Sequence, residues 1–167
     1  MALTPDDLAV LTLPVQFGLP DAVRLTGLRQ GQPVGEQILD PGGYGADVIP
    51  GRTPGEFHAI CSKIVSRWTL GDTGLVQAAE RDLRSAPLAY VVHPVLAADG
   101  LLLGSGQVLD PETLADQPDF APLTGFPHRT TVLPFPELDL VVFANEAHNL
   151  VSYDATQRTE LVRRILP

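Results

Sequence analysis

The segment "TPGEFHAICSKIVSRW" at residues 53–68 places the tightest constraint on what this chain can fold into. Thr53 is a preferred helix-capping residue, Pro54 suits the first position of a helix, and Glu56 completes a capping box. The apolar side chains recur at intervals of three and four residues, at Phe57, Ile60, Cys61, Ile64, Val65 and Trp68. This spacing is typical of one face of a helix. The segment therefore predicts a helix over 53–68 that packs on the core.

Two more segments have helical patterns. Residues 74–85 place Leu75, Val76, Ala79 and Leu83 on one face, with a Glu80–Arg84 pair on the other. Near the end of the sequence, Asp154 is expected to cap a helix formed by "ATQRTELVRRIL". In that helix the apolar residues Leu161, Val162, Ile165 and Leu166 would face inward, and Arg163 and Arg164 would lie where a helix end favours cations.

The remaining segments predict strands. Residues 22–40 predict a hairpin around "RQGQP", and residues 88–109 predict another around "AADG". Three short strands follow within 130–153, whereas the Gly- and Pro-rich residues 41–55 predict a loop. A length of 167 residues suits one domain, 1–167. The expected fold is α+β, with a largely antiparallel sheet of about five to seven strands and two to three helices on one face.

One short segment occurs twice: "QILDP" at 37–41 and "QVLDP" at 107–111. In both places Asp-Pro is expected to end the second strand of a hairpin, because proline cannot continue a hydrogen-bonded ladder. The residues after the two segments differ. Ancestral duplication and convergent strand-ending chemistry both remain open as explanations.

Composition and charge narrow the classes of partner. The net charge is −9 and no stripe of Lys or Arg occurs, so we expect no nucleic-acid partner. Hydrophobic residues make up 44% of the chain and the mean hydropathy is +0.11. That apolar excess, together with open sheet edges, predicts self-association as a homodimer or other homo-oligomer.

Targeting signals and cysteine usage predict the compartment. No apolar run approaches the length of a membrane span, and the first residues do not resemble a signal peptide. Cys61 is the single cysteine, which excludes an internal disulfide and fits the cytoplasm. We therefore expect a cytoplasmic protein with no membrane contact.

No motif identifies a reaction, a metal or a cofactor. Cys61 follows His58 by three residues, but its place in the apolar stripe predicts an inert buried thiol. Ser105 lacks the surrounding residues of a nucleophile elbow and is expected to be a strand or bulge residue. The best polar cluster would combine the loop at 41–55, including Tyr44 and Arg52, with His128, Arg129, Glu146 and His148. This cluster is the alternative hypothesis, a small hydrolase or transferase site.

Carboxylates dominate the interval between Arg84 and Arg129, which contains no Lys or Arg. They are Asp99, Asp110, Glu112, Asp116 and Asp119. Their spacing fails the pattern of a calcium loop, so no metal is expected. One-signed segments steer oppositely charged partners, although solubility alone is the simpler explanation. The favoured hypothesis is a non-catalytic interaction module, an adaptor, assembly factor or inhibitor, which binds a basic protein through these carboxylates.

Overall fold

The computed structural model of the chain describes residues 2–3, 8–14, 23–39, 46–61, 64–83, 94–98, 100–120, 130–145 and 148–165. These ranges form strands and one short 3-10 helix, Pro136–Leu138, and they contain no α-helix. None of their helical turns has the length and hydropathy of a membrane span. The predicted α+β class is therefore wrong, and the fold is nearly all β.

The strands form four antiparallel sheets, each of four strands. Sheet I contains β1 (Ala2–Leu3), β2 (Leu8–Pro14), β3 (Val23–Arg29) and β4 (Gln32–Leu39). Sheet II contains β5 (Ala46–Pro50), β6 (Glu56–Cys61), β7 (Ile64–Gly71) and β8 (Gly74–Asp82). Sheet III contains β9 (Val95–Leu96), β10 (Leu101–Leu102), β11 (Val108–Leu109) and β12 (Asp116–Gln117). Sheet IV contains β13 (Thr130–Phe135), β14 (Leu140–Asn145), β15 (Asn149–Asp154) and β16 (Glu160–Ile165).

The chain divides into two compact units, Met1–Ala86 and Pro87–Pro167. In the first unit, an apolar core joins sheets I and II through Val10, Leu25, Phe57, Trp68 and Leu70. In the second, a core joins sheets III and IV through Val108, Phe120, Val132, Phe143 and Tyr153. Each unit is therefore a pair of sheets that bury one face of each against the other, which is the usual way for an antiparallel sheet to form a core. That the whole chain is one domain stays a prediction.

The predicted helix over 53–68 is wrong, because the apolar residues belong to two adjacent strands. Phe57 of β6 lies directly opposite Trp68 of β7, and their rings stack with centroids 6.5 Å apart. Residues 57–61 of β6 are all buried, so that strand is buried on both faces and shows no alternation of buried and exposed side chains. The capping signal marks a turn instead, in which the backbone N–H of Glu56 donates to the Thr53 carbonyl at 3.0 Å. The apolar residues of this buried strand and of the next one together have the spacing expected for one face of a helix.

The other two predicted helices are also strands. Residues 74–82 of the second predicted helix form β8, in which Leu75 is buried and Val76 is exposed. The segment after Asp154 forms a turn and then β16, all of whose side chains are exposed. Leu161 and Ile165, predicted to face the core, are 55% and 79% exposed. In both segments the order of apolar and charged residues fits the period of a helix as well as that of a strand. Pairing with neighbouring strands therefore determines that they form strands.

The predicted hairpins and meander occur where the structure describes them. The first turns at Gln30 and Gly31, both at positive φ, between β3 and β4. Strands β13, β14 and β15 match the three short strands predicted within 130–153. The second hairpin also occurs, as β9 paired with β10 on either side of residues 97–100, but its second strand is shorter than predicted because residues 101–109 are not one strand. They reverse direction at Gly104–Gly106, where the backbone N–H of Gly106 donates to the Leu103 carbonyl at 2.9 Å.

The repeated pentapeptide occupies unequal places in the two sheets. Residues 37–39 lie in β4, the fourth strand of sheet I, whereas residues 108–109 form β11, the third strand of sheet III. Asp40 and Pro41 lie outside the described residues. Because an ancestral duplication would place the two copies on equivalent strands, the unequal placement favours convergent strand-ending chemistry.

Candidate protein-interaction surface

Four of the five carboxylates of the interval between Arg84 and Arg129 lie in a hairpin between β11 and β12, which we call the acidic hairpin (residues 108–119). The two strands pair in antiparallel register, Val108 with Gln117 and Leu109 with Asp116. Asp110 begins the connecting turn, and its backbone N–H donates to the Ala115 carbonyl at 2.8 Å. Residues 110–115 therefore form a hydrogen-bonded turn between the two strands.

The side chain of Asp110 holds this turn together. One carboxylate oxygen accepts three hydrogen bonds, from the backbone N–H of Glu112 at 3.0 Å, the backbone N–H of Thr113 at 2.7 Å and the Thr113 hydroxyl at 2.8 Å. This is the Asx-turn chemistry that suits Asp to turn positions. These bonds, first the Thr113 N–H and then the Thr113 hydroxyl, lower the pKa of Asp110 below its ordinary value. Hydrogen bonds to a charged group favour the charged form.

The other predicted carboxylates have two different roles. Asp119 Oδ1 accepts the backbone N–H of Val108 at 3.0 Å, so it ties the end of the hairpin to its first strand. Asp116 lies on β12 with its side chain exposed and 3.5 Å from the Gln107 amide nitrogen. Glu112 is exposed at the tip of the turn. Asp99 lies outside the described residues. Asp110 and Asp119 therefore support the hairpin, whereas Glu112 and Asp116 present charge on its surface.

A second turn with the same geometry joins β15 to β16 in sheet IV, at residues 154–159. Asp154 begins it, its backbone N–H donates to the Thr159 carbonyl at 3.0 Å, and its Oδ1 accepts the Gln157 N–H at 2.6 Å. Leu114 and Arg158 occupy the same position in the two turns, and both have left-handed backbone angles, φ 59° and φ 55°. The two Asp residues lie 44 positions apart, at 110 and 154.

The alternative catalytic cluster lies mostly outside the described residues. This applies to Tyr44, His128, Arg129 and Glu146. His148 is exposed in the turn between β14 and β15, at φ 61°, and its backbone N–H donates to the Asn145 carbonyl at 3.1 Å. Part of the predicted 41–55 loop is strand β5, and Arg52 is exposed in the turn after that strand. Each described member lies on an exposed turn, and the catalytic role of the cluster stays a prediction.

Cys61 and His58 are buried in β6. Because they are three positions apart on a strand, their side chains point to opposite faces of sheet II. Burial, and then the negative charge of Asp47, raise the pKa of Cys61 to about 12. Ser105 lies in the turn after β10, and its hydroxyl oxygen accepts the Gln107 N–H at 3.3 Å. The inertness of Cys61 stays a prediction, now supported by this geometry.

Sheet II contains an ion pair that the sequence pattern does not predict. Arg67 Nη1 lies 2.8 Å from Glu56 Oε1, and both side chains are mostly buried. The sequence pattern predicts Glu56 in a helix cap, whereas the structure places it on β6 beside the strand that contains Arg67. In the described ranges no three His, Cys, Asp or Glu side chains group as a metal site requires. The ion pair therefore joins two adjacent strands and is not part of a metal centre.

No protein-family model and no curated protein sequence matches this chain. Solved structures do match in fold. BamB from Moraxella catarrhalis superposes with a TM-score of 0.65 and 15% sequence identity, covering 99% of this chain and 52% of that one. The WD40 beta propeller domain of Doa1 superposes with a TM-score of 0.60 and 12% identity, covering 97% of this chain and 51% of that one. This chain spans about half the length of those solved chains. Its four-stranded antiparallel sheets have a β-propeller-like fold.

Proposed function

We propose that this chain is a non-catalytic protein-interaction module with a β-propeller-like fold, acting as an adaptor, an assembly factor or an inhibitor of a basic partner. The observation that carries the proposal is the acidic hairpin. Its own carboxylates, Asp110 and Asp119, fix the backbone, and Glu112 and Asp116 project from it. A charged surface that is already ordered loses little conformational entropy on binding.

The proposed role of the acidic hairpin is to attract a basic partner electrostatically. The interval between Arg84 and Arg129 has five carboxylates and no Lys or Arg. A one-signed surface of this kind accelerates association with an oppositely charged protein by about ten-fold or more, and salt weakens the effect. The chain is acidic overall, with a net charge of −9, which adds to the attraction of a basic partner.

The proposal also includes homodimer formation and a cytoplasmic location. Homodimer formation is supported by exposed apolar side chains on sheet IV, among them Leu133 at 43% and Val162 at 45% exposure. A cytoplasmic location is supported by the single, buried Cys61, since no disulfide is available to stabilise the chain in an oxidising compartment.

The test is affinity capture from the native cell lysate with charge-reversed variants. In Glu112→Lys/Asp116→Lys, Asp110 is left intact because its loss would disturb the turn itself. We expect this variant to recover at least about ten-fold less of a basic protein than the wild type at low salt. A matched control, Glu80→Lys/Glu137→Lys, makes the same charge change at exposed positions on β8 and the 3-10 helix. Equal recovery by both variants would reduce the acidic hairpin to a solvated surface.

A further inference from the structure

The end of sheet IV at the turn between β13 and β14 exposes a group of apolar side chains. Leu133 and Phe135 of β13 are 43% and 40% exposed, and Leu138, in the 3-10 helix of this turn, is 70% exposed. Register places Leu140 of β14 opposite Phe135, so these two residues share one face of the sheet with Leu133. We call these four residues the end patch. Val142, opposite Leu133, is buried and marks its limit.

Three carboxylates lie at the same end of the sheet. Glu137 is exposed within the 3-10 helix, Asp139 follows that helix, and Asp154 of β15 is paired with a residue of the end patch. Asp139 Oδ1 accepts the Thr156 hydroxyl at 3.0 Å, and Asp154 Oδ1 accepts the Gln157 N–H at 2.6 Å. Both donors are neutral, so they do not cancel the negative charges. Glu137 makes no ion pair with any residue in the described ranges.

The sequence supplies no cation within this turn. No Lys or Arg occurs between Arg129 and Arg158. The Arg158 guanidinium lies 5.8 Å from the centre of the Phe120 ring. Phe120 packs with Phe143 and Tyr153, on the opposite face of the sheet. Arg158 is therefore directed away from the end patch.

The two cations of β16 do not compensate the three carboxylates either. Arg163 is paired with Glu160, at 2.7 Å. Arg164 shares the face of the end patch, but register places it four positions along β15 from Asp154. That separation is about 13 Å, longer than the screening distance of about 8 Å at physiological ionic strength. The rim of the end patch therefore has uncompensated negative charge, which complements a basic partner.

Strand addition is not the expected mode of binding at this edge. β13 is an edge strand of sheet IV, and an added strand would have to pair with its backbone. Pro134 lies within β13 and has no backbone N–H. Proline on an edge strand turns its nitrogen away from the ladder, to the side that an added strand would use. A partner is therefore expected to contact the side chains of the end patch.

We propose that the end patch binds a segment of another protein in which apolar side chains lie beside Lys or Arg. Phe135 and Leu138 provide the apolar contact, and Glu137 and Asp154 attract the cations. Exposed apolar patches with a polar rim mark protein interfaces, in which aromatic residues are enriched. The inference goes beyond the proposed function, because the end patch is separate from the acidic hairpin and binds its segment whether or not the hairpin binds a partner.

Charge argues against a second copy of this chain as the occupant. Each copy has a net charge of −9, so the carboxylates of the end patch would meet a surface that repels them. The homodimer in the proposed function has β16, at the opposite edge of sheet IV, for its contact.

Fluorescence anisotropy of the full chain with three labelled peptides of equal length tests the inference. One peptide is built from Leu and Lys, the second from Leu and Glu, and the third from Ser and Lys. The Leu–Lys peptide should bind at least about ten-fold more tightly than either of the others, because it alone offers both apolar side chains and cations.

Substitutions locate the binding. Leu138→Ser and Glu137→Lys should each weaken binding of the Leu–Lys peptide by about ten-fold, and the effect of Glu137→Lys should shrink at high salt. Val76→Ser and Glu80→Lys are the matched controls, because they make the same changes at exposed residues of β8, and both should bind like the wild type. Circular dichroism checks folding, and Glu137→Gln, with a smaller expected loss, replaces Glu137→Lys if that variant unfolds.

Equal affinities for the three peptides, unchanged binding by Leu138→Ser, or equal losses in the control variants would overturn the inference. Light scattering that shows a wild-type dimer lost in Leu138→Ser would assign the end patch to a second copy, and would overturn it as well. Leu138→Ser leaves the acidic hairpin intact. Capture of a basic protein that depends on Glu112 and Asp116 would therefore support the proposed function even if the end patch bound none of the peptides.

Discussion

The turns at residues 110–115 of sheet III and 154–159 of sheet IV share one backbone and differ in almost every side chain. Both begin with Asp, close with the same pair of backbone hydrogen bonds and place their fifth residue in the left-handed region. That fifth residue is Leu114 in the first turn and Arg158 in the second. Leu114 is buried, whereas the Arg158 guanidinium lies 5.8 Å from the centre of the Phe120 ring.

The comparison separates what the turn requires from what each sheet adds. Asp at the first position is common to both, because its carboxylate binds the backbone N–H groups that a tight turn leaves unpaired. The residue at the tip is variable: Glu112 in one turn and Thr156 in the other. A charge at the position of Glu112 is therefore not a requirement of this turn geometry.

The largest expected difference between the two turns comes from Leu114. Leu114→Ala should lower the free energy of unfolding by about 2–5 kcal/mol, because it removes a fully buried side chain and leaves a cavity. Alanine has a Cβ atom, as leucine does, so the free-energy cost of the left-handed backbone at this position does not change. Urea denaturation measures the loss. Leu114→Met is the control and should cost less than about 1.5 kcal/mol; equal losses for both variants would show that burial does not determine the effect.

The second difference concerns the two Asp residues. Asp110→Ala should lower the Tm more than Asp154→Ala does, because the Asp110 carboxylate accepts three hydrogen bonds within its turn and the Asp154 carboxylate accepts one there. Thermal unfolding followed by circular dichroism compares them. Asp110→Asn keeps an acceptor oxygen and should fall between wild type and Asp110→Ala. A larger fall in Tm for Asp154→Ala than for Asp110→Ala would contradict this prediction.

These turns also show how much the sequence could predict. Local chemistry was sufficient at the hairpin of Gln30 and Gly31, where Gly31 suits the positive φ that a tight turn requires. Local chemistry was also sufficient for the meander of β13, β14 and β15, where the alternation of side chains and the strand-ending residues indicate the same three strands. Asp154 was recognised as a capping residue, but the same Asp side chain caps a helix or closes a turn. Which of the two forms depends on pairing between strands, which a single sequence does not display.

The helix over 53–68 failed for a related reason. Its stripe includes Phe57 and Trp68, which contact each other across two strands rather than along a helix. A strand that is buried on both faces has no period of two, so the pattern gave no signal against a helix. For the candidate site, the sequence predicted the cluster of carboxylates but neither the hairpin that they form nor the distinction between Asp110 and Glu112. That distinction depends on hydrogen bonds to backbone atoms, which composition cannot reveal.

A smaller effect is expected at Arg158. Arg158→Ala should cost about 0.5–1 kcal/mol through loss of the cation–π contact with Phe120. Arg158→Gly loses the same contact but relieves the left-handed backbone at φ 55°, and should be about 1 kcal/mol more stable than the alanine variant. Urea denaturation of the two variants measures the difference. If alanine were as stable as glycine, the left-handed residue would contribute no strain to these turns.

The smallest effect is the pH dependence that Asp110 adds to the turn of sheet III. The Thr113 N–H and hydroxyl hold the pKa of Asp110 below its ordinary value of 3.8, so ionised Asp110 binds its turn better than the protonated form does. A carboxyl whose pKa is lowered by folding stabilises the fold above its ordinary pKa, and that contribution disappears as the pH falls through the lower folded value. The Tm advantage of wild type over Asp110→Asn should therefore be constant from about pH 5 to 7 and shrink below about pH 4. Asp119→Asn, which alters a different bond of the same hairpin, is the comparison variant. An advantage that stays constant down to pH 2 would show that the charge of Asp110 contributes nothing to the turn.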